Sequence, residues 1–297
     1  MRNVEHVVHS QNELGEGPLW HGGEGRLYWV DIKGRTIESY SPGEEERRTI
    51  SLRIAVTALG LRDGGGFVGA TEAGFAFWDG VSRDLTFIGN PEDGRDGTRF
   101  NDGAVGPGGR FWAGSMYDGP ETDNPPDGRL YSLDADRVVA MMQSGLTISN
   151  GLGWSPEADT MYLTDTLRRA IYAYDYDPEV GTIRNRRTLV RVPEGEGVPD
   201  GLTVDSDGCI WSARWGGWKV ARYSPDGELM EEIGLPIECP TSCTFGGENL
   251  HQLYISSAWT ALDDRARADQ PLAGDLFRVD LRVRGMPEHR FLGRRRE

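Results

Sequence analysis

With 297 residues, a formal net charge of −15 and a pI near 4.8, the chain would repel nucleic acid and anionic membrane surfaces, so neither is expected as a partner. Apolar residues make up 37% of it in short, evenly spread runs, which excludes disorder, and no stretch approaches the roughly 18 apolar residues of a membrane span. Cys209, Cys239 and Cys243 show no CxxC spacing and imply neither a disulfide framework nor a zinc ribbon; with an N-terminus lacking an apolar signal region, they point to a reducing cytoplasm.

In chain order, residues 4–8 (Val-Glu-His-Val-Val) make a short strand that precedes a recurring phrase. The phrase opens on small and polar residues, reaches an apolar strand with an aromatic about ten residues later, then turns into another strand. Its copies open at Glu16-Gly17-Pro18, Thr57-Ala58-Leu59, Asn101-Asp102-Gly103, Asn150-Gly151-Leu152, Asp200-Gly201-Leu202 and Thr241-Ser242-Cys243, with starts 41, 44, 49, 50 and 41 residues apart. Self-similarity at this period marks a β-propeller, whose repeats are four-stranded blades that cannot bury their faces alone. The fold expected is all-β: a six-bladed β-propeller in which residues 1–297 form a single domain. The N-terminal strand should close the ring as the outer strand of the last blade, beside residues 290–292, which also removes an open edge.

Second strands are expected at 26–31, 66–70, 110–115, 161–165, 209–214 and 252–257, and third strands at 36–40, 129–133, 170–174, 219–223 and 275–279. They alternate apolar and polar residues and are rich in aromatic and β-branched ones. No amphipathic helix is expected. Two insertions, 117–127 and 258–274, each follow a second strand and should stand at one mouth of the channel.

Equivalent positions of a propeller face one another across its axis, so the opening slots bring together Glu16, Thr57, Asn101, Asn150, Asp200 and Thr241. Two acids and two asparagines make an oxygen-rich cluster of the kind a hard divalent cation requires. The structural alternative is that they cap turns or hold channel waters; two acids at equivalent slots favour the cation, with Glu16, Asn150 and Asp200 as its ligands. Aspartate-rich turns such as 205–208 lack a full calcium-loop pattern and read as hairpins. The histidines show no HExxH spacing, and no GxSxG elbow occurs. Arg99, two residues before Asn101, either pairs with Asp102 or Asp96 or donates hydrogen bonds to a bound substrate. The ends of the second strands would place Met116, Tyr117, Asp165, Arg214, Trp215 and Trp259 around the mouth, either as a wall suited to a sugar ring or, for the two tryptophans, as packing between blades.

At these residues the chain resembles the gluconolactonase and regucalcin (senescence marker protein) family of six-bladed propellers. The matching stretches run in order along the chain: Gly15-Glu16-Gly17-Pro18-Leu19-Trp20, Leu27-Tyr28-Trp29-Val30-Asp31-Ile32, Arg99-Phe100-Asn101-Asp102-Gly103, Ile148-Ser149-Asn150-Gly151-Leu152-Gly153-Trp154-Ser155, Pro199-Asp200-Gly201-Leu202 and Thr241-Ser242-Cys243-Thr244-Phe245-Gly246-Gly247. The resemblance implies one divalent cation held by Glu16, Asn150 and Asp200, and a sugar lactone contacted by Arg99 and Asn101. It implies a metal-dependent sugar lactonase in which the cation polarises the carbonyl and Asp200 also takes the proton of the attacking water. An oxygen-only site admits calcium, magnesium, manganese, zinc or ferrous iron. A promiscuous phosphotriesterase or aryl-esterase and a non-enzymatic calcium-binding regulator are the alternatives, and the expected assembly is a monomer or weak homo-oligomer.

Overall fold

The structure is a computed structural model and describes residues 2–123 and 125–293. Its alternating strands pair antiparallel into six sheets around one axis. The first blade runs outward from Gly15–His21 through Arg26–Asp31 and Thr36–Ser41 to Glu46–Ser51, and burial falls along the way. Arg26–Asp31 is buried at every position whereas Glu46–Ser51 is mostly exposed, which is why the second strands were the easiest to read and the outer ones the hardest.

The inner strands Gly15–His21, Val56–Arg62, Thr98–Val105, Ser149–Trp154, Val198–Val204 and Pro240–Gly246 pack successively, and the last packs on the first. Apolar clusters fill each gap between neighbouring blades. Between the third and fourth, for example, fully buried Trp112 lies edge-on to Trp154 and Tyr176 at 6.3 and 5.9 Å between ring centres. A side chain buried this completely contributes about 1.5–3 kcal/mol, so removing any one blade would unmake two such layers.

Val4–Val8 pairs antiparallel with Leu276–Asp280 and is the outer strand of the last blade, as the closure required. The expected neighbour near residues 290–292 is corrected: Arg290–Phe291 instead pairs parallel with Val56–Arg62 and adds a fifth strand to the second blade. Leu276–Asp280 already fills the place beside Val4–Val8, so the remaining chain crosses the lower face of the ring. It touches Asp205 through Gly285 and ends with Phe291 fully buried against Phe77. The second insertion carries a short helix, Asp264–Asp269, capped by the Asp263 carboxylate on Ala266 N–H. None of its residues is buried, so it has no apolar stripe for sequence periodicity to detect. Among the described residues no helix is long and apolar enough to cross a membrane.

Candidate metal centre on the propeller axis

Each inner strand breaks its pairing register near its opening slot, between Glu16 and Leu19, Val56 and Ala58, Phe100 and Gly103, Asn150 and Leu152, Pro199 and Leu202, and Pro240 and Ser242. A bulge re-aims the residue it contains, and six at one level turn six side chains out of the sheets. In the first blade Gly17 supplies the turn, with φ at +53°, a left-handed conformation that costs glycine little.

The bulges bring Glu16, Asn101, Asn150 and Asp200 together, each less than a tenth exposed. Asn150 Nδ2 donates to Asp200 Oδ1 in a very short contact and to Thr166 Oγ1 at 3.2 Å, while Asn150 Oδ1 accepts from Gly151 N–H at 3.1 Å. Asn101 Nδ2 donates to the Ser149 carbonyl at 3.1 Å, and its Oδ1 accepts from Arg99 Nη1 at 3.1 Å. Thr241 is spent elsewhere, on the Gly15 carbonyl at 2.5 Å and Ser256 Oγ. Thr57 Oγ1 is buried without a partner among the described residues.

Burial, then the charges of Asp200 and Asp102, raise the Glu16 carboxyl well above the usual range. Burial and then Asp102 do the same to Asp200, against the opposing bond from Asn150. Neither acid has an ion-pair partner among the described residues. Two buried, mutually repelling carboxylates, two amide oxygens and an orphaned hydroxyl fit a hard divalent cation, which needs oxygen donors and removes the repulsion. Glu16, Asp200 and Asn150 would hold it, Asn150 by presenting Oδ1 in place of its Nδ2.

Arg99 pairs with neither Asp102 nor Asp96. Its Nε donates to Asp118 Oδ2 at 2.6 Å and its Nη1 to the Phe100 carbonyl at 2.9 Å, so the first insertion reaches the site through Asp118. Asp102, read from sequence only as a partner for Arg99, instead lines a cavity of about 70 Å³ along the channel, where burial raises its carboxyl to about 6. The signal was present: the position after each slot residue holds Gly17, Ala58, Asp102, Gly151, Gly201 and Ser242, one acid among small residues. Glu288 and His289 line the same cavity from the crossing C-terminal segment. Burial lifts Glu288, which accepts from Thr244 Oγ1 at 3.0 Å, to about 7 and lowers His289.

The expected wall is only partly there. Asp165 and Arg214 pair with Ser149 and Pro199, the residues before the ligand positions, so strand alternation turns them off the ligand face. Asp165 accepts from Thr147 N–H at 3.0 Å; Arg214, 1% exposed, donates to Ser212 Oγ and Tyr223 Oη at 2.7 and 2.6 Å. Trp259 packs: Arg267 lies 3.6 Å over its ring and its Nε1 donates to the Gln11 carbonyl at 3.1 Å. Met116, Tyr117 and Trp215 are half-buried. A concavity of about 610 Å³ opens beside Trp20, Phe245 and Glu288, away from Glu16 and Asp200.

Residues 14–259 match the family described as SMP-30/Gluconolactonase/LRE-like region. The chain is 37% identical to regucalcin of Danio rerio over 292 residues, 98% of each chain. It is also 37% identical to pentonolactonase XacC of Haloferax volcanii over 295 residues, 97% of each. A solved structure described as a calcium-binding protein, regucalcin, from Agrobacterium tumefaciens superposes with a TM-score of 0.92 at 26% identity, covering 98% of this chain and 97% of that one.

Proposed function

Because the chain belongs to the SMP-30/gluconolactonase/LRE-like family, we propose that it is a divalent-metal-dependent sugar lactonase, opening the cyclic ester of a sugar acid such as an aldono-lactone to the free acid. The observation that carries this reading is the pair of buried carboxylates, Glu16 and Asp200, facing each other without a cation of the protein's own, next to the anchored Arg99 and Asn101. A bound divalent cation, whether calcium, magnesium, manganese, zinc or ferrous iron, would supply Lewis-acid polarisation of the lactone carbonyl and charge for the developing oxyanion.

The chain's own residues do the rest. Asp200 accepts the proton of the attacking water on one carboxylate oxygen while the other faces the cation, since a ligating carboxylate still offers its second oxygen. Arg99, fixed by Asp118 and the Phe100 carbonyl, donates to lactone oxygens, and Asn101 orients the ring beside it.

The test is pH-indicator hydrolysis of a panel of pentono-, hexono- and aldaro-lactones by metal-stripped protein, with each divalent cation added back. Turnover that returns with a cation supports the proposal; its absence with every pair, despite cation binding at the axis, rejects it. The second outcome would favour a calcium-holding role without turnover, a reading supported by the calcium-binding description of the A. tumefaciens relative.

A further inference from the structure

Metal-ligating atoms also gather far from the axis, where the ring closes. His6 sits on Val4–Val8 opposite Phe277 of the last blade, and a bulge between His6 and Val8 lets His9 reach the same carboxylate. His6 Nε2 is 2.8 Å and His9 Nδ1 2.9 Å from a single atom, Asp275 Oδ2, and the three lie within 4.8 Å of one another. Asp275 is 1% exposed, and its other oxygen is fixed by the backbone N–H and side-chain amide of Gln11 at 2.9 and 3.3 Å. The carboxylate is therefore held rigidly while the imidazoles, 35% and 65% exposed, face water and can rotate.

We propose that His6, His9 and Asp275 bind a borderline divalent ion of the zinc, nickel, cobalt(II) or copper(II) class, at a site separate from the axial centre, and that the ion fastens the N-terminal strand to the last blade. Two imidazole nitrogens and one carboxylate oxygen, with water in the fourth position, are a donor set such ions accept in tetrahedral geometry. Bonds of about 2.0–2.2 Å place tetrahedral ligand atoms roughly 3.3 Å apart. The two nitrogen-to-carboxylate spacings need to widen by only about half an ångström, and the two nitrogens already lie within 4.8 Å of each other, within reach of two half-exposed side chains. An ion there takes a lone pair from each ring and the charge of the buried carboxylate together. Because His6 and His9 belong to the first strand and the loop after it while Asp275 belongs to the last blade, the bound ion joins the two ends of the ring.

The two sites differ in chemistry, which makes them separable. The axial set offers only oxygens and suits calcium or magnesium; imidazole favours zinc over both. Tag-free protein in excess calcium would be titrated with zinc, following stoichiometry by calorimetry and Tm by differential scanning fluorimetry, in the wild type and in the His6→Gln/His9→Gln variant. The wild type should take up one zinc more than the variant. At zinc about 100-fold above its Kd, its Tm should rise on the order of 5 °C. The variant should show no such rise, and Asp275→Asn should behave likewise. Equal zinc stoichiometry and equal zinc-dependent Tm shifts in wild type and His6→Gln/His9→Gln would overturn the proposal, and zinc displacing calcium at the axis would raise both proteins alike and so count against it.

Discussion

Asp200 meets two requirements at once, supplying charge to the cation beside Glu16 and offering its second carboxylate oxygen to a proton. Asp200→Asn keeps the shape and removes both the charge and the proton acceptor. At saturating cation its kcat should fall at least about 100-fold, the usual contribution of a positioned base. Its metal-free Tm should not drop, because the repulsion with Glu16 and Asp102 disappears; kcat near wild type would remove Asp200 from the chemistry. Glu288 offers an independent pH test. Burial raises it from the usual value near 4.3 to about 7, so the folded state holds its proton more tightly than the unfolded chain. The stability this gives is complete below the unfolded pKa and is lost as pH rises through about 7. Glu288→Gln stays neutral and keeps an acceptor for Thr244 Oγ1, so thermal melts of variant and wild type should agree near or below about pH 4 and separate progressively towards pH 8, with the variant higher. Equal melting at both pH values would show that the channel solvates Glu288 fully. The slot residues were legible because the repeat fixes their positions, whereas Glu288 was not, since it belongs to no repeat.

Among elements, the second strands declared themselves through aromatic, fully buried runs, and the third through alternation. The two-residue strand Arg290–Phe291 is too short to carry any period, and its parallel partner lies over 200 residues away, so pairing could not be read from the sequence. The 117–127 insertion reaches the site from the end of a second strand, and its grip there depends on one contact that spacing does not reveal. Asp118 Oδ2 holds Arg99 Nε, while Asp127 secures the far end of the loop on Arg95 Nη2 at 2.8 Å and Gly145 N–H at 2.6 Å. Asp118 is half exposed, so its ion pair contributes only about 0–1 kcal/mol to stability, and its effect should show in binding. Asp118→Asn should leave Tm and cation affinity unchanged and raise KM for the lactone roughly three- to tenfold, equivalent to about 1 kcal/mol of lost orientation. An unchanged KM would mean that Arg99 is held by the Phe100 carbonyl and Asn101 alone.

At the scale of the ring, both termini act as fasteners, and they fasten different things. Val4–Val8 completes the last blade and sends Val8 into the layer between the last and first blades; Phe291 fills the layer between the second and third from below. Loss of either removes buried apolar surface, but only loss of the first uncovers a strand edge. Deleting residues 2–8 would leave the outward-facing N–H and C=O groups of Leu276–Asp280 unpaired along a mostly apolar strand, a template for edge-to-edge association. Phe291→Ala leaves every blade edge as it was and opens a cavity costing about 3–5 kcal/mol. Both proteins should therefore melt below the wild type, yet size-exclusion chromatography should show association only for the truncation, with Phe291→Ala eluting as the wild type does. If the truncated chain elutes unchanged, the N-terminal strand adds contact area to the ring without protecting its edge, and closure rests on the packing of Pro240–Gly246 against Gly15–His21.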